Sequence, residues 1–230
     1  MEKTKNINIP IKRYRHTLKE VLKMLTPKQV HIFKAFLSQP YKEQTYKEIK
    51  GFSKEKSNSQ IQKAIAQFLR EEIITKRGIG NIILFKPNLE NPKSLAYFSI
   101  LTDEQLPRTA KQCLTTIKKE LGNISFISMA LFGSYSENKQ KENSDLDIAV
   151  FVKSEEEKKR CKLELKSTEL KCILPLDAHV FTKDEMLEML KEQNENLGKQ
   201  IARKHLAFHN PASFYSILDE GTRNGFRIAP

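Results

Sequence analysis

The chain is 230 residues long with a formal net charge of +12, and 39% of it is apolar, enough for a packed core in one large domain or two small ones. No run of 18 consecutive apolar residues occurs and no apolar stretch follows the charged N-terminus, so neither a membrane-spanning helix nor a secretory signal is expected. The cysteines, Cys113, Cys161 and Cys172, lack metal-site spacing and point to buried or free thiols in a reducing cytoplasm.

Charge divides the chain unevenly. Residues 1–92 carry 19 Lys and Arg against 8 Asp and Glu, hence +11, whereas residues 93–230 hold 21 against 20. That asymmetry suggests a polyanion-binding module joined to a unit with a different task. A Lys-rich surface without a partner is the plainer alternative.

In chain order, residues 1–9 read as a loose arm, and 11–25 place Leu18, Val21, Leu22 and Leu25 at helical spacing. Thr26-Pro27-Lys28-Gln29 and Thr45-Tyr46-Lys47-Glu48 have the form of capping boxes, each opening a helix. A third helix carries Ile61, Ile65, Phe68 and Leu69 on one face and Asn58, Gln62, Lys63 and Gln67 on the other. Two β-branched runs around Gly78 to Asn81 predict a hairpin. Three helices and a hairpin are the layout of a winged helix-turn-helix, with Asn58, Gln62 and Lys63 facing DNA bases or phosphates and Lys76 and Arg77 gripping the backbone. Winged helices also bind proteins, and that alternative stands beside DNA. Residues 87–92, with a proline at either end, read as a linker between a basic unit at 1–92 and a second unit at 93–230.

Beyond the linker, the pattern predicts a helix over 107–121, an apolar strand over 124–132 and an alternating strand over 145–152. A charged helix capped at Ser154, a strand over 174–181 and a helix opened by Thr182 follow. Helical material is expected to about Ala207, and a last short helix near Phe214 to Leu218. The expected class is α+β, with a small mixed β-sheet flanked by helices.

Chemistry concentrates in two runs. Gly133-Ser134 follows an apolar strand, where a residue without Cβ lets phosphates approach the backbone. In Ser144-Asp145-Leu146-Asp147, strand periodicity sets Asp145 and Asp147 on one face. Paired carboxylates repel unless a cation lies between them, and Mg²⁺ is the hard ion that one or two carboxylates and substrate phosphates bind. Asp177 lies on a later strand and joins the pair if the strands are neighbours.

These residues resemble the polymerase-β-like nucleotidyltransferases, and the gap from Gly133-Ser134 to Asp145 is most similar to the minimal members of prokaryotes. The resemblance implies a two-metal site that moves a nucleoside monophosphate, AMP from ATP in this reading, to an acceptor hydroxyl. Asp145 and Asp147 would be metal ligands. Asp177 would be the third ligand and general base, and Gly133, Ser134 and Ser144 would hold the nucleotide. It also implies, for some such proteins, an antitoxin role in which a tyrosine of a partner protein is modified. The alternative is a DNA-binding regulator whose second half only senses nucleotides. Ser136-Glu137-Asn138 departs from the pattern, since relatives carry Arg there. Tyr135 is expected at the core or rim, with base stacking the alternative; His205 and His209 are read as packed or exposed histidines, and His179, two residues beyond Asp177 and on its face if the strand holds, as an ordinary strand histidine, with contact to the nucleotide the alternative.

Overall fold

The computed structural model describes residues 25–37, 39–124 and 128–227. The helix expected over 11–25 therefore lies outside the described residues apart from Leu25, as does part of the strand expected over 124–132.

The first capping box works as its spacing demands. Thr26 accepts from the Gln29 amide and Gln29 returns the bond, opening α1 (Pro27–Phe33), which runs on as a 3₁₀ turn to Phe36. A two-residue strand absent from the sequence reading, β1 (Gln44–Thr45), precedes α2 (Tyr46–Ser53), whose capping box joins Thr45 and Glu48. After α3 (Asn58–Arg70), the hairpin of β2 (Ile74–Ile79) and β3 (Ile82–Pro87) pairs Ile79 with Ile82. The turn is thus two residues, Gly80-Asn81, rather than the four expected, and Gly80 takes a φ of +54°. A two-residue turn with glycine first matches the twist of the flanking strands, so they pair to their ends. β1 joins the other edge of β3.

Residues 87–92 are fastened to this unit. Asn88 donates from its backbone to the Ile73 carbonyl and from its amide to Glu72, and the Asn91 side chain donates to the Glu71 carbonyl. Asn91 also caps α4 (Pro92–Gln105), a helix the sequence reading left unassigned. Then come α5 (Arg108–Glu120), β4 (Ser128–Leu131), a single turn α6 (Gly133–Ser136), β5 (Leu146–Val152), α7 (Glu155–Glu169) and β6 (Leu176–Thr182). The chain continues through α8 (Lys183–Lys191), α9 (Leu197–Arg203), β7 (Leu206–His209) and α10 (Pro211–Arg223).

The second sheet has the order β6-β5-β4-β7, with β5 and β6 parallel and the other pairs antiparallel. It is mixed and helix-flanked, as the composition of its strands predicts. Parallel strands need a crossover, which α7 supplies. The helical material expected to Ala207 ends instead at Arg203, and Leu206–His209 extend the sheet as β7 along β4. Beyond Asp147, β5 is buried on both faces.

One continuous core joins the two halves. Phe33 packs its ring 5.4 Å from Phe68 and 5.3 Å from Phe98 of α4, and Phe98 in turn meets Tyr215 of α10. The Tyr41 hydroxyl donates to Asp219 at 3.0 Å across the same boundary, and the carboxylate raises the phenol's pKa beyond what burial does. Among the described residues, no helix is long and apolar enough to cross a membrane.

Candidate active site

Strand register assembles the site. Phe132 donates its amide to the Asp147 carbonyl at 3.1 Å, and Asp147 pairs with Asp177, so Phe132, Asp147 and Asp177 form one row across three chains of the sheet. The next row on the same face is Ala130, Ala149 and His179, and the third is Ser128, Phe151 and Phe181. Two alanines in the middle row leave the His179 ring room to lie over the sheet. Asp145 sits one residue before β5 and is exposed. The condition placed on Asp177, that its strand neighbour β5, is met directly.

Gly133 begins the short turn after β4 with a φ of +62°, a conformation that a side chain disfavours. A Cβ at this position would collide with Asp147 Oδ2 and stand 2.7 Å from its Cγ. The Asp147 carboxylate therefore rests on the bare backbone of Gly133, and the two motif runs touch. Burial, then the neighbouring Asp177 and Asp145, raise the pKa of Asp147, while His179 opposes them. This carboxylate is crowded by negative charge and half-shielded from water.

Around the pair, the loop is held by its own bonds. Ser136 Oγ donates to the Gly133 carbonyl at 2.8 Å, and the Lys139 amide donates to the Ser134 carbonyl at 2.9 Å. The Ser144 hydroxyl accepts from the Lys141 amide at 2.8 Å and so closes the turn leading to Asp145. Tyr135 is buried in the core, which removes the base-stacking alternative; burial raises its phenol pKa.

Sequence reasoning missed the partners of two residues beside this site. Glu137, where relatives carry Arg, is bound by Lys204 at 2.6 Å and Lys139 at 3.5 Å, and the Lys204 contact holds its carboxyl below the usual range. Lys204 comes from the segment between α9 and β7, a pairing that no local spacing reveals. His179 lies on the face of Asp177, as its spacing expects, and places Nε2 3.1 Å from Asp177 Oδ1. By contrast, His205 is fully buried against Phe214 with Nδ1 on the Ile201 carbonyl. His209 lies on β7 beside the desolvated Lys118, and burial lowers its pKa first. β4 separates the strand of His209 from β5, and neither histidine is paired with a carboxylate of the site.

The chemistry of the donors suits a hard divalent ion: the Asp147 and Asp177 carboxylates pair in register on adjacent strands, Asp147 cradled by a glycine backbone, with Asp145 just before β5. Among the described residues, no three His, Cys, Asp or Glu side chains converge closely enough to hold an ion by themselves. Mg²⁺ does not need them to, because one or two carboxylates with substrate phosphates and water complete its shell.

On the basic unit, Asn58, Gln62 and Lys63 are exposed on α3, and Lys76 and Arg77 are exposed on β2. Asn58 accepts from Lys50 at 2.7 Å, Gln67 is bonded to Glu71 and Arg70, and Arg77 donates from Nε and Nη2 to the two carboxylate oxygens of Glu43. The hairpin tip is apolar, with Ile79, Ile82 and Ile83 exposed. Asn58, Gln62, Lys63, Lys76 and Arg77 lie on elements other than the strands that carry Asp147 and Asp177.

Residues 111–212, from within α5 to the start of α10, match the family described as Polymerase beta, Nucleotidyltransferase. The match supports the polymerase-β-like superfamily for this segment, and with it nucleotidyl transfer as the general activity. No curated protein matches the chain.

Proposed function

We propose that the chain transfers a nucleoside monophosphate, AMP from ATP, to an acceptor hydroxyl. The observation that carries this reading is the seat of Asp147 on Gly133, with Asp177 beside it in register and Asp145 two residues before it. A structural carboxylate gains nothing from a place where burial and two like charges oppose its ionisation. A carboxylate that binds a cation does.

In this reading Asp145 and Asp147 hold Mg²⁺ ions, with Asp177 as a third ligand. When bound, the ions neutralise charge on the attacking and leaving oxygens of an in-line displacement. The backbone at Gly133 and the Ser134 hydroxyl hold the β- and γ-phosphates, and Lys204 with Lys139 supplies positive charge beside them. Ser144 acts by fixing the turn that presents Asp145. The acceptor oxygen bonds to the α-phosphorus as the α–β bridge breaks and pyrophosphate leaves, and the hydroxyl proton passes to Asp177. An acceptor carried by a partner protein suits the open site, since Asp177 is 53% exposed. The antitoxin-type role belongs to the same reading.

The three helices and hairpin act, in this proposal, as a winged helix that binds DNA through Asn58, Gln62, Lys63 and Lys76, with Arg77 shared with Glu43. The excess of basic residues over 1–92 supports it. Such binding weakens steeply with salt, through release of counterions from DNA.

The test is thermal denaturation with and without Mg–ATP. Ligand at about 100 times its Kd adds about 2.7 kcal/mol, a rise of about 5–10 °C for a chain of this size. Wild type is expected to show that rise and Asp145→Asn/Asp147→Asn to lose it. An equal rise in both proteins would remove the carboxylates from nucleotide binding, and a rise without transfer would favour the sensing regulator.

A further inference from the structure

We propose that His179 is the positioning residue of the site: its Nε2–H holds Asp177 Oδ1 and leaves the second carboxylate oxygen to serve the reaction. The inference rests on the transferase reading for its consequence, but its geometry is independent of it. Asp177 and His179 are two residues apart on β6 and therefore share a face, and 3.1 Å separates the ring nitrogen from the carboxylate oxygen. The ring is held in turn by aromatic neighbours. Phe181 lies parallel to it within 6° at 6.2 Å, and Phe132 lies 5.8 Å away at the head of the Asp147 row. Ala149, the register partner of His179, is too small to contest the space.

Asp177 needs such a partner because it lacks the seat that Asp147 has. It is exposed on β6, beyond which no strand is paired among the described residues. A free aspartate there samples several orientations, whereas one tied through Oδ1 presents Oδ2 in a fixed direction. Partners that orient a reacting or ligating group typically contribute about 10- to 100-fold in activity.

Two substitutions separate positioning from packing. His179→Phe keeps a ring between Phe132 and Phe181 but has no donor; His179→Gln keeps a donor without the ring. Positioning predicts that His179→Phe loses about 10- to 100-fold in kcat with KM for ATP within about twofold, and that His179→Gln recovers most of the loss. Packing predicts the reverse order, and that result would overturn the proposal. A second measurement needs no turnover: long-range ¹H–¹⁵N correlation of the ligand-free protein above pH 8, with His179 assigned from the signal missing in His179→Gln. The expected spectrum shows the proton on Nε2, with a ¹⁵N shift that moves in Asp177→Asn. A proton on Nδ1, or an Nε2 signal indifferent to Asp177→Asn, sinks the proposal. Should the wild type prove inert toward every acceptor, the transferase reading fails while the spectrum still decides the role of His179.

Discussion

Gly133→Ala separates the seating of Asp147 from the stability of the fold. The alanine must hold a φ of +62°, which costs a side-chain-bearing residue about 1–2 kcal/mol. Its Cβ also takes the place of the Asp147 carboxylate, 2.7 Å from Cγ. The cheapest relief is rotation of Asp147 away from its rotamer, at about 0.5–1.5 kcal/mol, because the alternative is movement of two strands. Together these lower the Tm by about 4–12 °C and leave a folded protein. The carboxylate, however, is displaced by more than an ångström, which at a reacting centre costs about 100-fold or more in kcat/KM. Thermal melts with and without Mg–ATP, run beside a transfer assay, read both effects. An alanine variant that keeps the nucleotide-induced rise in Tm and full transfer would refute the claim that this contact builds the site.

Three further outcomes follow from the same geometry. Asp147→Asn removes one of two like charges paired across β5 and β6; it is expected to raise the Tm at pH 7 by about 1–4 °C while abolishing transfer, as differential scanning fluorimetry and a transfer assay will show. The sign follows from the raised pKa of Asp147: the fold favours its protonated form, so this group's contribution falls as pH rises through the carboxylate range. His205 works in the opposite direction. Burial lowers its pKa from 6.5 to about 4, so the unfolded chain takes the proton first, and stability is lost as pH falls from about 6.5 to about 4. The loss is about 3 kcal/mol, and urea denaturation of His205→Leu across this range should lack it. Phe98→Ala opens a cavity where the two halves share their core, at about 3–5 kcal/mol; calorimetry should show one transition moved down rather than two parted ones.

Much of the site was legible in the sequence, for a local reason. Gly133-Ser134 and Asp145-Leu146-Asp147 lie within 15 consecutive residues, and period-two alternation alone assigns both aspartates to one face. Capping boxes at Thr26, Thr45 and Thr182 were equally local and fixed where three helices begin. What escaped was set by pairing between distant segments. β7 looks helical in isolation and becomes a strand because the edge of β4 needs a partner. α4 buries one face, Ser94, Tyr97, Phe98, Leu101 and Thr102, but two of these are polar while Ile100 is exposed, which blurs the apolar stripe that marks a helix in sequence. The place of Asp177 and His179 beside Asp147 depended on the register of β6 against β5, and the Lys204 contact on a segment distant in sequence.

The most direct test is incubation with α-³²P-ATP and Mg²⁺, with cell lysate as the source of acceptor, beside an Asp145→Ala/Asp147→Ala control. The account predicts label on a discrete protein band with wild type and none with the control. Absence of label with all four NTPs, despite Mg²⁺-dependent nucleotide binding, would contradict transfer and leave a nucleotide sensor.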